Sequence, residues 1–479
     1  MNPCGQHFKY VFLTPLMFSN PIPPAHHRWS CRTGLLIGTA VAALVLAGCA
    51  SPAVPADANH TAAPMAGLSH NAWWQDFSDP LLNKLITQAL QANTSIRSAQ
   101  AALQQARALR DGKVAAAGPS LTLSGSAQRS QTEFSDANNN FKAGLDARWE
   151  ADVFGANRSS INASEADAQA AQASLRDVQV SIAAEVALAY IQLRGSQAQL
   201  AIAHTNLASQ QETLQITQWR AQAGLVTSLE VEQAQSSVAQ TAAQIPALQT
   251  SLAKTRHSLA ILTGQRPLEL DPLLTPERAV PQASSSLTAA IPANTLRQRA
   301  DVRAAEHRIT AALARVDAAD AARYPSFSLG GSLSLSALTL AGLSNSATLA
   351  GSLLGSVSVP LFDGGAAQSQ VLAQQAALEQ ARAAYLATVL TALKEVEDAL
   401  VALGNDRERL GQQQLAARAA SNAALLAQNR YHSGLIDFQT VLQTQRTLLS
   451  SQDSVASLQA ELSADHVRLV KALGGGWHE

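Results

Sequence analysis

The sequence predicts an internally duplicated α+β membrane protein. Four membrane-spanning β-strands per chain would join a barrel shared between copies, and long helices would continue that barrel as a second, α-helical one. Three observations predict this. The plan of the chain occurs twice, about 210 residues apart. Each copy holds two strands of alternating character. Each copy then enters a hydrophobic heptad ladder far longer than a globular helix needs.

Composition narrows the class further. Charged residues make up 14% of the 479 positions, below the roughly 25% of average soluble domains. A formal net charge of -1 gives no electrostatic reason to expect nucleic acid as a partner. Hydrophobic residues reach 47%, largely alanine, while aromatics are 4%; that mixture suits extended, closely packed helices better than an enzyme core. Cys4, Cys31 and Cys49 all lie near the N-terminus, without a metal-ligand spacing or the makings of a disulfide framework. The histidines show no HExxH pair, and no phosphate-binding, nucleophile-elbow or dinucleotide fingerprint occurs. Neither an enzyme, a metal nor a cofactor is therefore expected.

Residues Met1 to Arg32 form a leader ending in basic character, followed by 15 uncharged residues from Gly34 to Gly48. That run is short of the roughly 20 residues a spanning helix needs and matches the apolar region of a signal peptide. Initiation at Met17 would shorten the long leader. The run ends at Leu46-Ala47-Gly48-Cys49, which resembles a bacterial lipobox. The resemblance implies cleavage before Cys49 and lipid on that residue; a cleaved secretory signal with a chance cysteine is the alternative. Ala50 and Ser51 follow, without the aspartate at the second position, and by resemblance to sorted lipoproteins this implies delivery to the outer membrane. The chain accordingly divides into a signal peptide (1–48), a lipid-anchored linker (49–75), a first repeat (76–265), a linker (266–292) and a second repeat (293–475).

Each repeat has the same order of elements. A helix over about 93–117, repeated over 299–323, ends before a proline, where the pyrrolidine ring disfavours continuation. Pro119 and Pro325, 206 positions apart, then open the strand pairs. Strands are expected over 119–134 and 141–154, around the turn-rich Ser-Asp-Ala-Asn-Asn-Asn, and over 325–338 and 348–362. Small polar residues at alternate positions suit a channel-lining face. Glycine turns at Gly155 and Gly364 release helices over 157–222 and 366–432, each roughly 100 Å long at 1.5 Å per residue. Val186, Leu193, Leu200, Leu207 and Leu214 step by seven, and Val396, Leu403, Leu410, Ala417 and Ala424 answer them. Turns at Gly224 and Gly434 send the chain back through two further ladders, from Val231 to Leu259 and from Val441 to Leu469. Pro246 interrupts the first return helix and should kink it. Asp301, in Asp301-Val302-Arg303, is placed to cap and brace the helix it opens.

Four strands cannot close a barrel, and an open edge is not viable in lipid. Two copies would supply a narrow eight strands, and three copies twelve. Counting thus permits a trimer without proving one.

Several segments carry a family resemblance. Trp149 to Arg158 (WEADVFGANR) and Val359 to Gly365 (VPLFDGG) resemble the strand-to-helix junctions of TolC/OprM-like outer membrane efflux proteins of the NodT type. Arg297 to Glu306 is similar to the family's Arg-Pro-Asp motif, with Ala300 in place of proline, and Arg430 to Leu449 is similar to its last hairpin tip. The resemblance covers about residues 70–475. It implies a homotrimer with a 12-stranded barrel in outer-membrane lipid and a periplasmic α-helical barrel. It further implies docking through the helix tips onto a periplasmic membrane-fusion adaptor and an inner-membrane resistance-nodulation-division pump. Such a channel conducts drugs or other toxic compounds passively and performs no chemistry.

The tip residues implied as gate candidates are Tyr431, Asp437, Gln443, Arg446, Glu230 and Glu232. Family members often place an aspartate where this chain has Gln443, so a ring of Gln443 would lack the cation attraction of three carboxylates. Asp437, Glu230 or Glu232 could stand in for it, or be solvated helix-end charges. Arg446 and Tyr431 could link the hairpins or simply pack. A type I protein-secretion duct of the same architecture and a lipid-anchored coiled-coil scaffold without a pore are the competing readings. The lipobox counts against the first and the paired alternating strands against the second.

Overall fold

A computed structural model describes residues 72–132, 135–283 and 295–475. Cys49, the signal peptide and most of the anchoring linker lie outside the described residues. Following a short turn at Trp73–Phe77 and helix α1 (Pro80–Ala92), five elements occur twice. They are α2 (Thr94–Ala116), β1 (Ser120–Thr132), β2 (Ser135–Ala151), α3 (Ala156–Gln222) and α4 (Ser228–Leu262). They recur as α5 (Ala300–Ala321), β3 (Ser326–Ala337), β4 (Thr348–Ser358), α6 (Ala366–His432) and α7 (Phe438–Ala472). The rods α3 and α6 each have 67 residues, and the return helices α4 and α7 each have 35. No helix among the described residues is apolar enough over its length to cross a membrane.

The four strands form one antiparallel sheet in the order β1-β2-β3-β4. The segment Ser135–Asn140, expected as a turn, is instead the start of β2, with Asn138 opposite Ser130 and Ser135 opposite Thr132. Asparagine is a poor strand former by itself, but an extended hairpin with water on both sides satisfies its backbone through the ladder. A shift in register between Ser130 and Thr132 marks an irregularity near the hairpin end. At the other end β4 stops at Ser358, four residues before the expected boundary. Pro360, which has no N–H to donate, follows two residues on.

Glycines start and end the rods. Gly155 (φ 82°) precedes α3 and Gly365 (φ 89°) precedes α6. Gly364 also has positive φ, but the helix-adjacent counterpart of Gly155 is Gly365. A nearby aspartate satisfies the free amides at each start. Asp152 accepts from Asn157 and Arg158, and Asp363 from Gly365 and Ala367. The helix ends are alike as well. Leu225 donates to the carbonyl of Arg220 and Leu435 to that of Arg430, across Gly224 (φ 72°) and Gly434 (φ 71°), the glycine-terminated helix stop. Helix α4 remains continuous through Pro246.

The main hydrophobic core lies part-way along α3. Ile182, Val186, Tyr190 and Leu193 face Leu82, Leu85 and Ile86 of α1, with Leu259 of α4 and Val467 of α7. Here α3 and α7 come so close that a Cβ on Gly195 would lie 2.8 Å from that of Ala460. The segment after α4, expected as linker, forms a helical turn at Asp271–Leu274 and straps across the core. Arg194, fully buried, donates to the carbonyl of Pro276 (2.7 Å) and lies over the Tyr190 ring. Gln197 holds the carbonyl of Leu274 at 2.9 Å. Asp79 caps α1 and accepts from the Tyr190 hydroxyl at 2.7 Å. Burial, reinforced by that carboxylate, pushes the Tyr190 hydroxyl up to about 12.

Candidate functional site

The sheet has two chemically different faces. Leu123, Leu145, Leu333 and Gly351 follow one another across the four strands, as do Ala147, Gly331 and Leu353. Trp149, opposite Leu329, lies on the same face and donates its indole N–H to the carbonyl of Ala117. Intervening positions carry Thr122, Asp146, Ser332 and Ser352, or Arg148, Gly330 and Leu354. Leu354 is an exception on an otherwise polar surface. Strands of 13, 17, 12 and 11 residues exceed or match the roughly 9–11 needed to cross a bilayer. An apolar band outside and a polar surface inside is the pattern a transmembrane barrel requires. A water-soluble coiled-coil scaffold has no use for it.

The polar face is dominated by hydroxyls. Ser328 and Ser356 are 2.6 Å apart, Ser332 and Ser352 2.8 Å. Charge on it is confined to β2, where Lys142, Asp146, Arg148 and Glu150 alternate in sign. Those four charges cancel on a wettable, hydroxyl-rich face, and Asp136 adds a further carboxylate to β2 near the hairpin end. At the base of the sheet Phe154 stacks on Tyr324 with ring centres 4.9 Å apart and approaches Phe327, joining the end of β2 to the start of β3.

At the opposite end of the rods the two hairpins are locked together. Tyr431, 3% exposed, packs on Phe438, Val441 and Leu442. Arg220 lies over its ring and donates to its carbonyl at 2.8 Å. Above this grip the contact between α3 and α7 is made of amide and hydroxyl groups. Gln445 donates to Thr213 (2.9 Å), and Asn206 donates to Gln452 (2.9 Å). The partner of Tyr431 is therefore Arg220, not Arg446. Arg446 is exposed on the rim of a groove of about 550 Å³ between α3, α4 and α7, shared with Gln210, Gln244 and Asp453.

The other gate candidates occupy simpler positions. Asp437 caps α7, accepting from both the amide and the hydroxyl of Thr440, bonds that hold its carboxyl below the usual range. Gln443 is exposed on the first turns of α7. Glu230 and Glu232 lie at the start of α4, where acidic residues suit the helix N-terminus. The structure brings Tyr431 and Phe438 together but does not gather the acidic residues into one cluster with them. Among the described residues no group of three or more histidine, cysteine or acidic side chains is placed to hold a metal.

No local sequence pattern marks Arg220, and Arg299 is marked only as the arginine of the Arg-Pro-Asp-like motif, without a role. Arg220 recurs as Arg430, whereas the position of Tyr431 is Ala221 in the first copy; that mismatch is the signal that marks the grip. Arg299 precedes α5 and ties three helices together. It pairs with Asp301 and Glu395 (both 2.8 Å) and donates to the carbonyl of Ala472 at the end of α7. Asp301 thus braces Arg299 rather than capping α5: it is inside the helix, accepts from the adjacent Val302 amide, and the cap position at Arg299 has no side-chain cap bond. Burial raises the Asp301 carboxyl, but the Arg299 guanidinium outweighs it and holds the group below its ordinary value. Asp177, facing this node from α3 without a comparable partner, is pushed up by burial and by Asp301.

The arrangement has relatives. The model of the family described as outer membrane efflux protein matches residues 85–265 and again 291–475, once per repeat. Nodulation protein T of Rhizobium leguminosarum bv. viciae is 31% identical over 85% of this chain and 84% of its own length. The solvent efflux pump outer membrane protein SrpC of Pseudomonas putida is 33% identical over 84% and 86%. Among solved structures, the outer-membrane channel OprN superposes with a TM-score of 0.80 at 37% identity, covering 85% of this chain and 92% of that one. VceC of Vibrio cholerae gives 0.79 at 29% identity, covering 86% and all of that chain.

Two measurements test these contacts. Replacing Arg220 by Ala removes a charge-assisted bond worth about 1.5–3 kcal/mol, and should raise amide hydrogen exchange across 431–438 by about tenfold or more. Unchanged exchange would mean that the grip contributes nothing. The Arg299–Asp301 pair has a defined pH dependence: with the Asp301 pKa lowered by folding, its stabilisation is full at neutral pH and is lost as pH falls through that lowered value. Asp301→Asn should lower the melting temperature at pH 7 and converge on the parent in acid.

Proposed function

The chain belongs to the outer membrane efflux protein family, and from that membership we propose that three copies form the exit duct of a tripartite efflux pump. The observation that carries the reading is the single four-stranded sheet, apolar on one face and polar on the other, with both edge strands unpaired within the chain. Three such sheets supply twelve strands, enough to enclose a water-filled lumen. The serine-rich face lines that lumen, and the apolar face meets lipid. The rods extend the duct roughly 100 Å into the periplasm, ending at Gly224 and Gly434.

In this reading the protein is not an enzyme. Cargo moves down its own gradient through the lumen, and the inner-membrane resistance-nodulation-division pump supplies the energy. The hairpin tips receive a periplasmic membrane-fusion adaptor. Relatives named for solvent, toluene and pyoverdine export support small, chemically varied cargo. Exposed Gln443 gives the tip no carboxylate ring, so the Arg220–Tyr431 grip, not a charged constriction, holds each chain's two hairpins together.

We also propose that Cys49 is acylated and supplements the barrel as a membrane anchor, in keeping with the lipobox-like Leu46-Ala47-Gly48 before it. Replacing Cys49 by Ala is expected to abolish incorporation of labelled palmitate; continued labelling would exclude lipid on that residue. The channel reading is tested with purified protein in planar bilayers. Trimers producing discrete conductance steps are expected, and a stable monomer without conductance would overturn the reading.

A further inference from the structure

The two strand hairpins end differently on the side away from the rods. The ladder between β2 and β3 stops at Phe141, and residues 135–140 carry β2 onward for about 20 Å at the strand rise per residue. That extension is dressed for water, with Arg129 on β1 and Asp136 and Asn138 to Asn140 on β2. The β3–β4 hairpin ends with the sheet and has the opposite chemistry. From Ser326 to Phe362 there is no aspartate, glutamate, histidine, lysine or arginine.

The connection between β3 and β4 is rich in leucine, and Leu338 and Leu340 are 65% and 69% exposed. It does not run on along the strand direction. The Gly342 amide donates to both the carbonyl and the hydroxyl of Thr339, each at 3.1 Å, and the chain turns into a short helix, Gly342–Asn345, packed on β3 and β2. Gly342 fixes where that turn lies. It is buried, and a Cβ on it would stand 3.1 Å from the Cβ of Ala337. Ala337 continues the row of Leu333 and Leu335 on the apolar face of the sheet. The turn is therefore folded back over the apolar side, not over the lumen.

We propose that residues 338–345 form an interfacial foot, which lies at the outer rim of the barrel and sets Leu338 and Leu340 among the acyl chains of the outer leaflet. The inference rests on the channel reading above and adds to it a lipid contact outside the strands. The foot is continuous with the surface that meets lipid: Leu335 and Leu349, paired across β3 and β4, adjoin it on the apolar face. It has no charge to be stripped of water on entry. Its own polar groups are also largely satisfied within the turn, as a site at the edge of hydrocarbon requires. The Ser344 hydroxyl donates to the carbonyl of Ala341, and the Ser346 amide to that of Gly342, both at 2.9 Å. Apolar side chains on one side of a short uncharged turn, with serine and asparagine on its exposed residues, match the boundary between acyl chains and headgroups. One hairpin of each chain thus stands in water while the other grips the leaflet and fixes how deep the rim sits.

Labelling and quenching of the full-length protein test the foot. On intact cells, a polyethylene-glycol maleimide too large to pass the outer membrane should modify Asn139→Cys readily and Leu340→Cys about tenfold or more slowly, with the parent chain as blank. A nitrobenzoxadiazole fluorophore on Leu340→Cys, in phosphatidylcholine vesicles, should be quenched by lipid carrying a nitroxide on its acyl chain and spared by aqueous iodide. The same fluorophore on Asn139→Cys should respond the other way. Leu340→Cys that labels as fast as Asn139→Cys and is quenched by iodide alone would put the turn in water and overturn the foot. Excimer emission from pyrene on Leu340→Cys would overturn it too, by showing that the leucines meet another copy and not lipid. In both cases Asn139→Cys still reacts from outside and the channel reading stands. Asn139→Cys that reacts only after the cells are broken means that the strands do not cross the membrane, and overturns the channel reading itself.

Discussion

The backbone groups along the outer edges of β1 and β4 have no partner within the chain, and hydrocarbon offers none. Each unsatisfied N–H or C=O buried in lipid costs several kcal/mol, so a lone sheet of this kind is not a stable membrane structure. The rest of the molecule is arranged around that requirement. The duplication makes one chain present complementary edges, β1 at one end and β4 at the other, so copies can add head to tail until the ring closes. The glycine starts at Gly155 and Gly365 then carry both repeats from barrel strand to rod by the same backbone geometry.

Packing chemistry changes along the rods. Around Val186, Tyr190 and Leu193 the chain has a dry core, drawn tight by the close approach at Gly195 and strapped by the segment that Arg194 and Gln197 hold. Toward the tips the facing residues are Asn206, Thr213, Gln445 and Gln452. Apolar contacts lose their stabilisation when water enters, whereas amide and hydroxyl contacts can exchange partners with water at a net cost of about 1 kcal/mol each. The polar stretch of the rods thus lies between two apolar clusters, one around Val186 to Leu193 and one around Tyr431 to Leu442 at the tip.

The architecture was legible in the sequence because its signals repeat. Heptads at Val186 to Leu214 and Val441 to Leu469, prolines ahead of each strand pair and glycines at both tips leave few alternatives for a chain with so little charge. What the sequence did not disclose were contacts between elements far apart in the chain. Asn138 to Asn140 read as a turn because local propensity cannot see that a ladder will satisfy them. The segment after α4 read as a linker because burial of Leu270 and Leu274 depends on α3 being there. Tyr431 was visible as a tip residue, but its partner Arg220 lies 211 positions away and no local pattern joins them. Asp301 was misassigned as a cap for the same reason: its role comes from Arg299, which the helix C-terminus at Ala472 and Glu395 help to fix.

The matched lengths of α3 and α6, 67 residues each, and of α4 and α7, 35 each, have a consequence for how such a molecule can change over time. A single turn deleted from one rod would withdraw its tip by about 5.4 Å and leave the other hairpin standing proud. It would also rotate every heptad below the deletion off its seam. Substitutions can accumulate freely on the outward faces, but gain or loss of residues in the rods is tolerated only in pairs. Insertions will be channelled into the strand hairpins and the connecting segments, so length variation among descendants should accumulate at the ends of the cylinder and around its waist.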